Sequence, residues 1–368
     1  MCYMISKLFK RFFIHIDSVL LASILFAMLI GLIVLYSASG QELSRVNAQL
    51  VNMVVALTAM WVVANIQPQN IERIALPAYV FGLLLLIAVA LFGDISHGAR
   101  RWLNIGITKI QPSELMKLAV PIMLAWYFSK KESHPRASDF VIAGIILAVP
   151  VLLIMKQPDL GTSLLVTASG LFVIFLAGLS WRFILGGIVL VGALSPVFWH
   201  LLHDYQRRRI LILIDPTQDP LGAGYHIIQS TIAIGSGGIT GKGWLNGTQT
   251  QLDFLPERTT DFIFAVFGEE FGIIGNLLLL LLFTIIIVRG FVIAGQAKST
   301  FSRLLAGSIA MTFFIYCFVN MGMVSGILPV VGVPLPLISY GGTSMLTLGL
   351  GFGLLMSIQT HKKLVATG

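Results

Sequence analysis

Acidic side chains next to long apolar runs are where chemistry would be found in this sequence. The stretch LDFLPERTTDFIFAVFGEEF, residues 252–271, carries Asp253, Glu257 and Asp261 before an apolar helix, and Glu269 and Glu270 further in. A charge in mid-membrane costs about 2.5–3.5 kcal/mol on an insertion scale, so each retained acid implies a compensating partner or a task. On a helical wheel Asp261 and Glu269 lie about 80° apart, and Glu270 points away from Asp261. The acids therefore form no single carboxylate pair. Asp261, following Thr259-Thr260, is expected to begin the helix. It is either a first-turn acid favoured by the helix dipole or a base at the water–lipid boundary.

Other polar residues fall into short clusters. In QPSELMKLA, residues 111–119, Pro112 suits a first helical turn and places Glu114 and Lys117 on one face. The pair either neutralises itself for entry into lipid, or presents Lys117 to a phosphate with Glu114 orienting it. RRWLNIG, residues 100–106, sets Trp102 beside Arg100 and Arg101. That combination is an interfacial anchor or a ring face for a sugar with guanidinium forks for phosphate. YQRRRI, residues 205–210, holds three arginines including Arg208 and Arg209, suited to lipid headgroups or to a diphosphate. AIGSGGITGKG, residues 233–243, imitates a nucleotide-binding phosphate loop, but Ser236 replaces its first glycine and Gly243 its final Ser/Thr. ATP binding is rejected, leaving a flexible loop or a nest of backbone amides. No His/Cys/Asp cluster has ligand spacing, so no cofactor or bound metal is expected, although a divalent cation could assist a diphosphate.

These clusters are set in a membrane scaffold. The 368 residues are 57% hydrophobic and only 11% charged, against about 25% charge in soluble domains. Ten apolar spans are expected, at about 18–38, 48–66, 74–93, 112–129, 139–156, 160–178, 183–203, 262–289, 304–324 and 339–360. The runs lack the alternation of a membrane barrel, so the fold class is an all-α polytopic bundle, read as one domain over 1–368. The first span is too long for the core of a signal peptide and is read as uncleaved. Cys2 and Cys317 cannot form a disulfide framework.

The formal charge of +8 is a topology signal rather than a mark of nucleic-acid binding. With the N-terminus inside, the inner tails and loops hold Lys7, Lys10, Arg11, Arg73, Lys130, Lys131, Arg136, Arg182, Arg289, Lys298, Arg303, Lys362 and Lys363. The short outer connections hold only Arg45, Arg100, Arg101, Lys109 and Lys156. Both termini are thus expected to be cytoplasmic, with the long loop 204–261 outside. Asp159, in the KQPDLG turn, Glu114, Lys117 and Asp261 then share the outer side.

One further stretch is diagnostic. In NMGMVSGILPVVGVPLPLISYGGTS, residues 320–344, Pro329, Pro334 and Pro336 forbid a continuous helix and predict a broken segment before the last span. The stretch resembles the signature of the SEDS (shape, elongation, division and sporulation) proteins. GARRWLNIG, QPSELMKLA, KQPDLGTS, AIGSGGITGKG and FLPERTTDFIFAVFGEEFG resemble that family's motifs in its order, across essentially the whole chain. The short tails look most like its elongation branch.

The resemblance implies a peptidoglycan glycosyltransferase that polymerises lipid II on the outer face of the bacterial inner membrane. It implies partnership with a class B penicillin-binding protein and other elongation-complex proteins. The family's essential aspartate maps onto Asp261, and its tryptophan and charged cavity residues onto Trp102, Glu114, Lys117 and Asp159. An α-linked donor and a β-1,4 product suggest one inverting displacement. Asp261 would be the base for the acceptor 4-hydroxyl, and Lys117, Arg101 and Arg208 or Arg209 would neutralise the departing diphosphate. The rival readings are a lipid II flippase and a scaffold that only recruits a synthase.

Overall fold

The computed structural model describes residues 15–96, 99–104, 109–131, 135–157, 159–195, 200, 204–219, 222–252 and 254–361. Leading the chain is α1, Ser18–Ala38, capped by Asp17, whose carboxylate accepts from Leu20 N at 2.9 Å. Next come α2 (Leu43–Ala64), the short α3 (Pro68–Arg73) and α4 (Ala75–Phe92). The 94–111 segment, an outer connection between expected spans, carries an antiparallel ribbon of β1 (Asp94–Ser96), β2 (Ala99–Asn104) and β3 (Lys109–Ile110). Pairing of Leu103 with Ile110 delivers the chain directly to α5, Pro112–Ser129.

Helices α6 (Ala137–Lys156), α7 (Leu160–Leu176) and α8 (Trp181–Ala193) follow. Then come α9 (Asp204–Ile214), α10 (Ala223–Ser236) and the four-residue α11 (Thr248–Gln251). The last three helices are α12 (Ile263–Gln296), α13 (Thr300–Val324) and α14 (Gly342–Thr360). Among the described residues seven helices are long and apolar enough to cross a membrane: α1, α2, α4, α6, α12, α13 and α14. The apolar α7 is shorter. Helix α5 matches the expected 112–129 span, with Glu114 and Lys117 buried inside the bundle.

Of the seventh expected span, 183–203, helix α8 covers the first part, with 13 residues from Trp181 to Ala193. Residues 196–199 and 201–203 lie outside the described set, as do the basic tails with Lys7, Lys10, Arg11, Lys362 and Lys363 and the prolyl turn residue Pro158. Arg289, counted with the loops, lies within α12 and pairs with Asp17 at 2.5 Å.

The helices share a large apolar core running from Leu20 to Ile358. Between α2 and α14 the backbones nearly touch, since a Cβ on Gly349 would lie 2.5 Å from Ala56 O and one on Gly353 2.6 Å from Met60 O. Small residues at helix spacing permit this approach where lipid offers no hydrophobic drive.

Helix α12 is a corrected expectation. It continues to Gln296 and is broken at Gly272, whose φ of 62° and ψ of −160° lie in a region open only to glycine. The glycine-rich 237–243 segment binds this break. Lys242 N and Gly243 N donate to Glu269 O and Glu270 O, each at 3.0 Å, and Ile273 N and Ile274 N donate to Gly238 O and Ile239 O. The loop's amides are therefore spent on helix carbonyls, and the reading of a nest for a ligand's phosphate is withdrawn for Lys242 and Gly243. Gly272→Ala is expected to cost at least about 1–3 kcal/mol in strain, and a Cβ there would also lie 2.3 Å from Gly241 N. A detergent-purified variant should melt at a clearly lower temperature; an unchanged midpoint would refute the clasp.

Candidate active site

At the end of the bundle where α5, α7 and α14 begin, a cavity of about 430 Å³ gathers residues from five separate stretches of sequence. Arg101 and Trp102 come from β2, Glu114 and Lys117 from α5, Asp159 from the start of α7, and Asp261 from the turn before α12. Six of the eight residues singled out in the sequence share this wall. Arg208 and Arg209 fall on α9, but their side chains lie outside the described residues. Arg100 lies on β2 and its side chain is likewise outside that set, as is Asp253.

Lys117 and Glu114 are both buried, with Nζ 2.5 Å from Oε1. Thr347 donates to the other Glu114 oxygen at 3.2 Å, and Lys117 Nζ stands 5.0 Å from the centre of the Tyr316 ring. One carboxylate and a ring face thus offset the burial of the ammonium. Asp159 caps α7: Oδ1 accepts from Thr162 N at 3.1 Å and Oδ2 from Gln111 Nε2 at 2.9 Å. Its oxygens hold the site's frame together, a positioning task. Arg101 Nε donates to Gln157 O at 3.3 Å, joining the ribbon to the end of α6.

Asp261 does not begin the helix. It sits in a turn two residues before Ile263, where Phe262 is the cap. Three successive carbonyls of this turn are held from elsewhere. Thr259 O accepts from Tyr340 N at 2.9 Å, Thr260 O from Ser339 Oγ at 2.6 Å, and Asp261 O from Asn320 Nδ2 at 2.8 Å. Phe262 is buried and stacks on His226 with ring centres 5.4 Å apart. Burial holds the His226 imidazole below its ordinary pKa, so it is neutral at physiological pH.

The broken segment forms the facing wall. Residues between α13 and α14 are non-helical yet include the buried Val333, Leu335, Leu337 and Ile338. Gly332, at φ 72°, lies so close that a Cβ there would be 3.4 Å from Asp261 Oδ2. Glycine both permits this backbone conformation and leaves room beside the carboxylate.

Glu269 and Glu270 line no part of this cavity. Glu269 is fully buried and pairs with Lys242 at 2.8 Å while accepting from Gln249 N at 3.0 Å. Glu270 accepts from Ser37 Oγ on α1. Glu269 thus knits the 204–261 segment to the bundle, and Glu270 ties α12 to α1. The cavity also includes Gln111, Thr260, Tyr340, Thr343 and Ser344, which were not singled out as site residues. Their sequence signals were the motifs they sit in: Gln111 in QPSELMKLA, Thr260 in the 252–271 stretch, and Tyr340, Thr343 and Ser344 in SYGGTS. At the opposite end, α5 and α6 meet the pairs Lys130–Glu72 at 3.4 Å and Lys131–Asp139 at 2.7 Å.

A multi-pass, helical membrane protein with a charged cavity where α5, α7 and α14 begin is the class this fold and site define. Within it, the chain belongs to the cell cycle protein family of FtsW, RodA and SpoVE, whose family model matches residues 17–364. The chain is 52% identical over 354 residues to the peptidoglycan glycosyltransferase MrdB of Escherichia coli K12, covering 96% of both chains. It is 36% identical to a probable peptidoglycan glycosyltransferase FtsW of Geobacter metallireducens, covering 90% of this chain and 92% of that one.

Among solved structures, it resembles a chain from a study of how a peptidoglycan synthase complex coordinates polymerization and crosslinking. That match has a TM-score of 0.82 at 30% identity, covering 93% of this chain and 97% of the other. The crystal structure of the rod shape determining protein RodA of Thermus thermophilus matches with a TM-score of 0.71 at 26% identity, covering 93% and 96%. The identity to MrdB of Escherichia coli exceeds that to this FtsW, in agreement with the resemblance to the elongation branch.

Proposed function

We propose that this chain is a peptidoglycan glycosyltransferase that polymerises lipid II into β-1,4-linked glycan during cell elongation, at the outer face of the bacterial inner membrane. The observation that carries this reading is the single cavity uniting Asp261 with Lys117, Arg101 and Trp102. Asp261 takes the proton of the acceptor sugar's 4-hydroxyl as that oxygen attacks the donor's anomeric carbon. The new C–O bond forms as the bond to the undecaprenyl diphosphate breaks on the opposite face, which inverts α to β. Lys117 and Arg101 meet the charge growing on the diphosphate, with Arg208 and Arg209 as further candidates. Glu114 orients Lys117, and Trp102 offers a ring face to a sugar. A divalent cation would add to this neutralisation; none of the roles above is assigned to one.

The same reading gives the chain a class B penicillin-binding protein as its partner, because polymerised strands require crosslinking. The identity of MrdB as a glycosyltransferase and the synthase complex among the structural relatives support it. The test is to incubate purified protein, with and without that partner, with lipid II and resolve the products on a gel. A ladder of glycan chains is expected. Transport of lipid II across vesicles without a ladder would favour the flippase instead.

The orientation has its own test. Gln251 is exposed at the end of α11, within the segment proposed to be outside. Gln251→Cys should react with an impermeant thiol reagent in intact spheroplasts above the background of the parent chain, whose Cys317 is buried. Reaction only after lysis would invert the proposed topology.

A further inference from the structure

Asn320 is wholly buried on α13, and both hydrogens of its amide are spent on backbone carbonyls from different parts of the chain. Nδ2 donates to Asp261 O at 2.8 Å and to Val333 O at 2.7 Å. The first carbonyl belongs to the turn that carries the cavity's carboxylate. The second lies one residue beyond Gly332, the position closest to that carboxylate's Oδ2 across the wall. A single planar amide therefore fixes the separation of the two walls between which Asp261 works.

Among the neutral side chains that could sit here, only a primary amide presents two N–H groups from one atom. Gln would place them one methylene further out, and Ser or Thr would supply a single donor. The neighbouring anchors reach the turn differently. Ser339 Oγ holds Thr260 O, and Ser339 O in turn accepts from the buried Gln49 Nε2 at 3.0 Å. Asn320 donates to the main chain of Asp261 itself and to the broken segment at once.

We infer that Asn320 is a positioning residue for the transferase reaction, setting the reach of the Asp261 carboxylate toward the acceptor hydroxyl. This rests on the reading of Asp261 as the base. Displacement of a reacting group by about 1 Å can cost about a hundredfold in rate. A loosened clamp should therefore slow the chemical step while leaving binding, which the other cavity residues provide, largely as it was.

The test uses the purified full chain with its partner and measures glycan synthesis across lipid II concentrations. Asn320→Leu removes both donors at similar volume; Asn320→Ser keeps one donor. Each variant is assayed well below its own melting temperature, at matched folded fraction. Asn320→Leu is expected to lower kcat at least about tenfold with KM within about twofold, and Asn320→Ser to fall between it and wild type. A wild-type kcat in folded Asn320→Leu would overturn the inference. So would a loss confined to KM, or the absence of folded protein for both variants, which would assign Asn320 to the fold alone. Asp261→Asn is run in parallel. If it is inactive while folded Asn320→Leu is fully active, only the clamp fails; if it is itself fully active, the base assignment fails.

Discussion

Asp261→Asn should reduce glycan synthesis from lipid II at least about a hundredfold, equivalent to about 2.7 kcal/mol of transition-state stabilisation. The substitution preserves shape and removes basicity. The turn around it is held through main-chain carbonyls by Tyr340, Ser339 and Asn320. Membrane insertion, yield and association with the penicillin-binding protein should therefore stay near normal. An acid just before a helix contributes only about 0.3–1 kcal/mol through the helix dipole, far less than the expected kinetic loss. Asp253→Asn makes the same chemical change in the same segment and should leave the rate intact. Wild-type chain formation by purified Asp261→Asn would remove it from the mechanism.

The residues that could do chemistry were legible because they are expensive. A carboxylate or ammonium beside hydrocarbon must have a partner or a use, so Glu114, Lys117 and Asp261 stood out by their positions, and the family resemblance added Asp159 to them. The structure brings all four into one cavity with Arg101 and Trp102. The span boundaries were legible for a similar reason: apolar runs of the length of a bilayer are rare outside membranes, and α1, α5 and α7 begin where the sequence placed them. What stayed hidden acts through the backbone. Asn320, Ser339 and Gln49 are ordinary polar residues in apolar company, and their significance depends on carbonyls that are up to 290 residues away in sequence. The glycine-rich loop was misread for the same reason. Its pattern announces free amides, but only the fold shows that the break at Gly272 supplies the carbonyls for two of them. The helical-wheel treatment of Asp261 also failed, since the residue lies in a turn outside the helix.

Lys117 is the harder case, because its burial serves two different purposes at once. Its ammonium is almost inaccessible, 2.5 Å from Glu114, and removing one member of such a pair leaves the other charge stranded, a loss of about 3–5 kcal/mol. Lys117→Met alone should therefore give poorly folded as well as inactive protein, and its inactivity would say little about diphosphate. The double change Glu114→Gln/Lys117→Met removes both charges at similar volume. Replacing a buried ion pair by neutral groups is often tolerated, and the Thr347 hydroxyl can still donate to the carbonyl oxygen of the introduced amide. That variant is expected to fold, insert and bind its partner. It should nevertheless form glycan at least about a hundredfold more slowly than wild type, on the scale of losing a preorganised electrostatic group. If the pair exists only to carry two charges into the bundle, the double variant should instead recover most of the activity that Lys117→Met loses. Measured rates near wild type in that folded double variant would withdraw Lys117 from the diphosphate site and leave Arg101 as the remaining described cavity cation assigned to it.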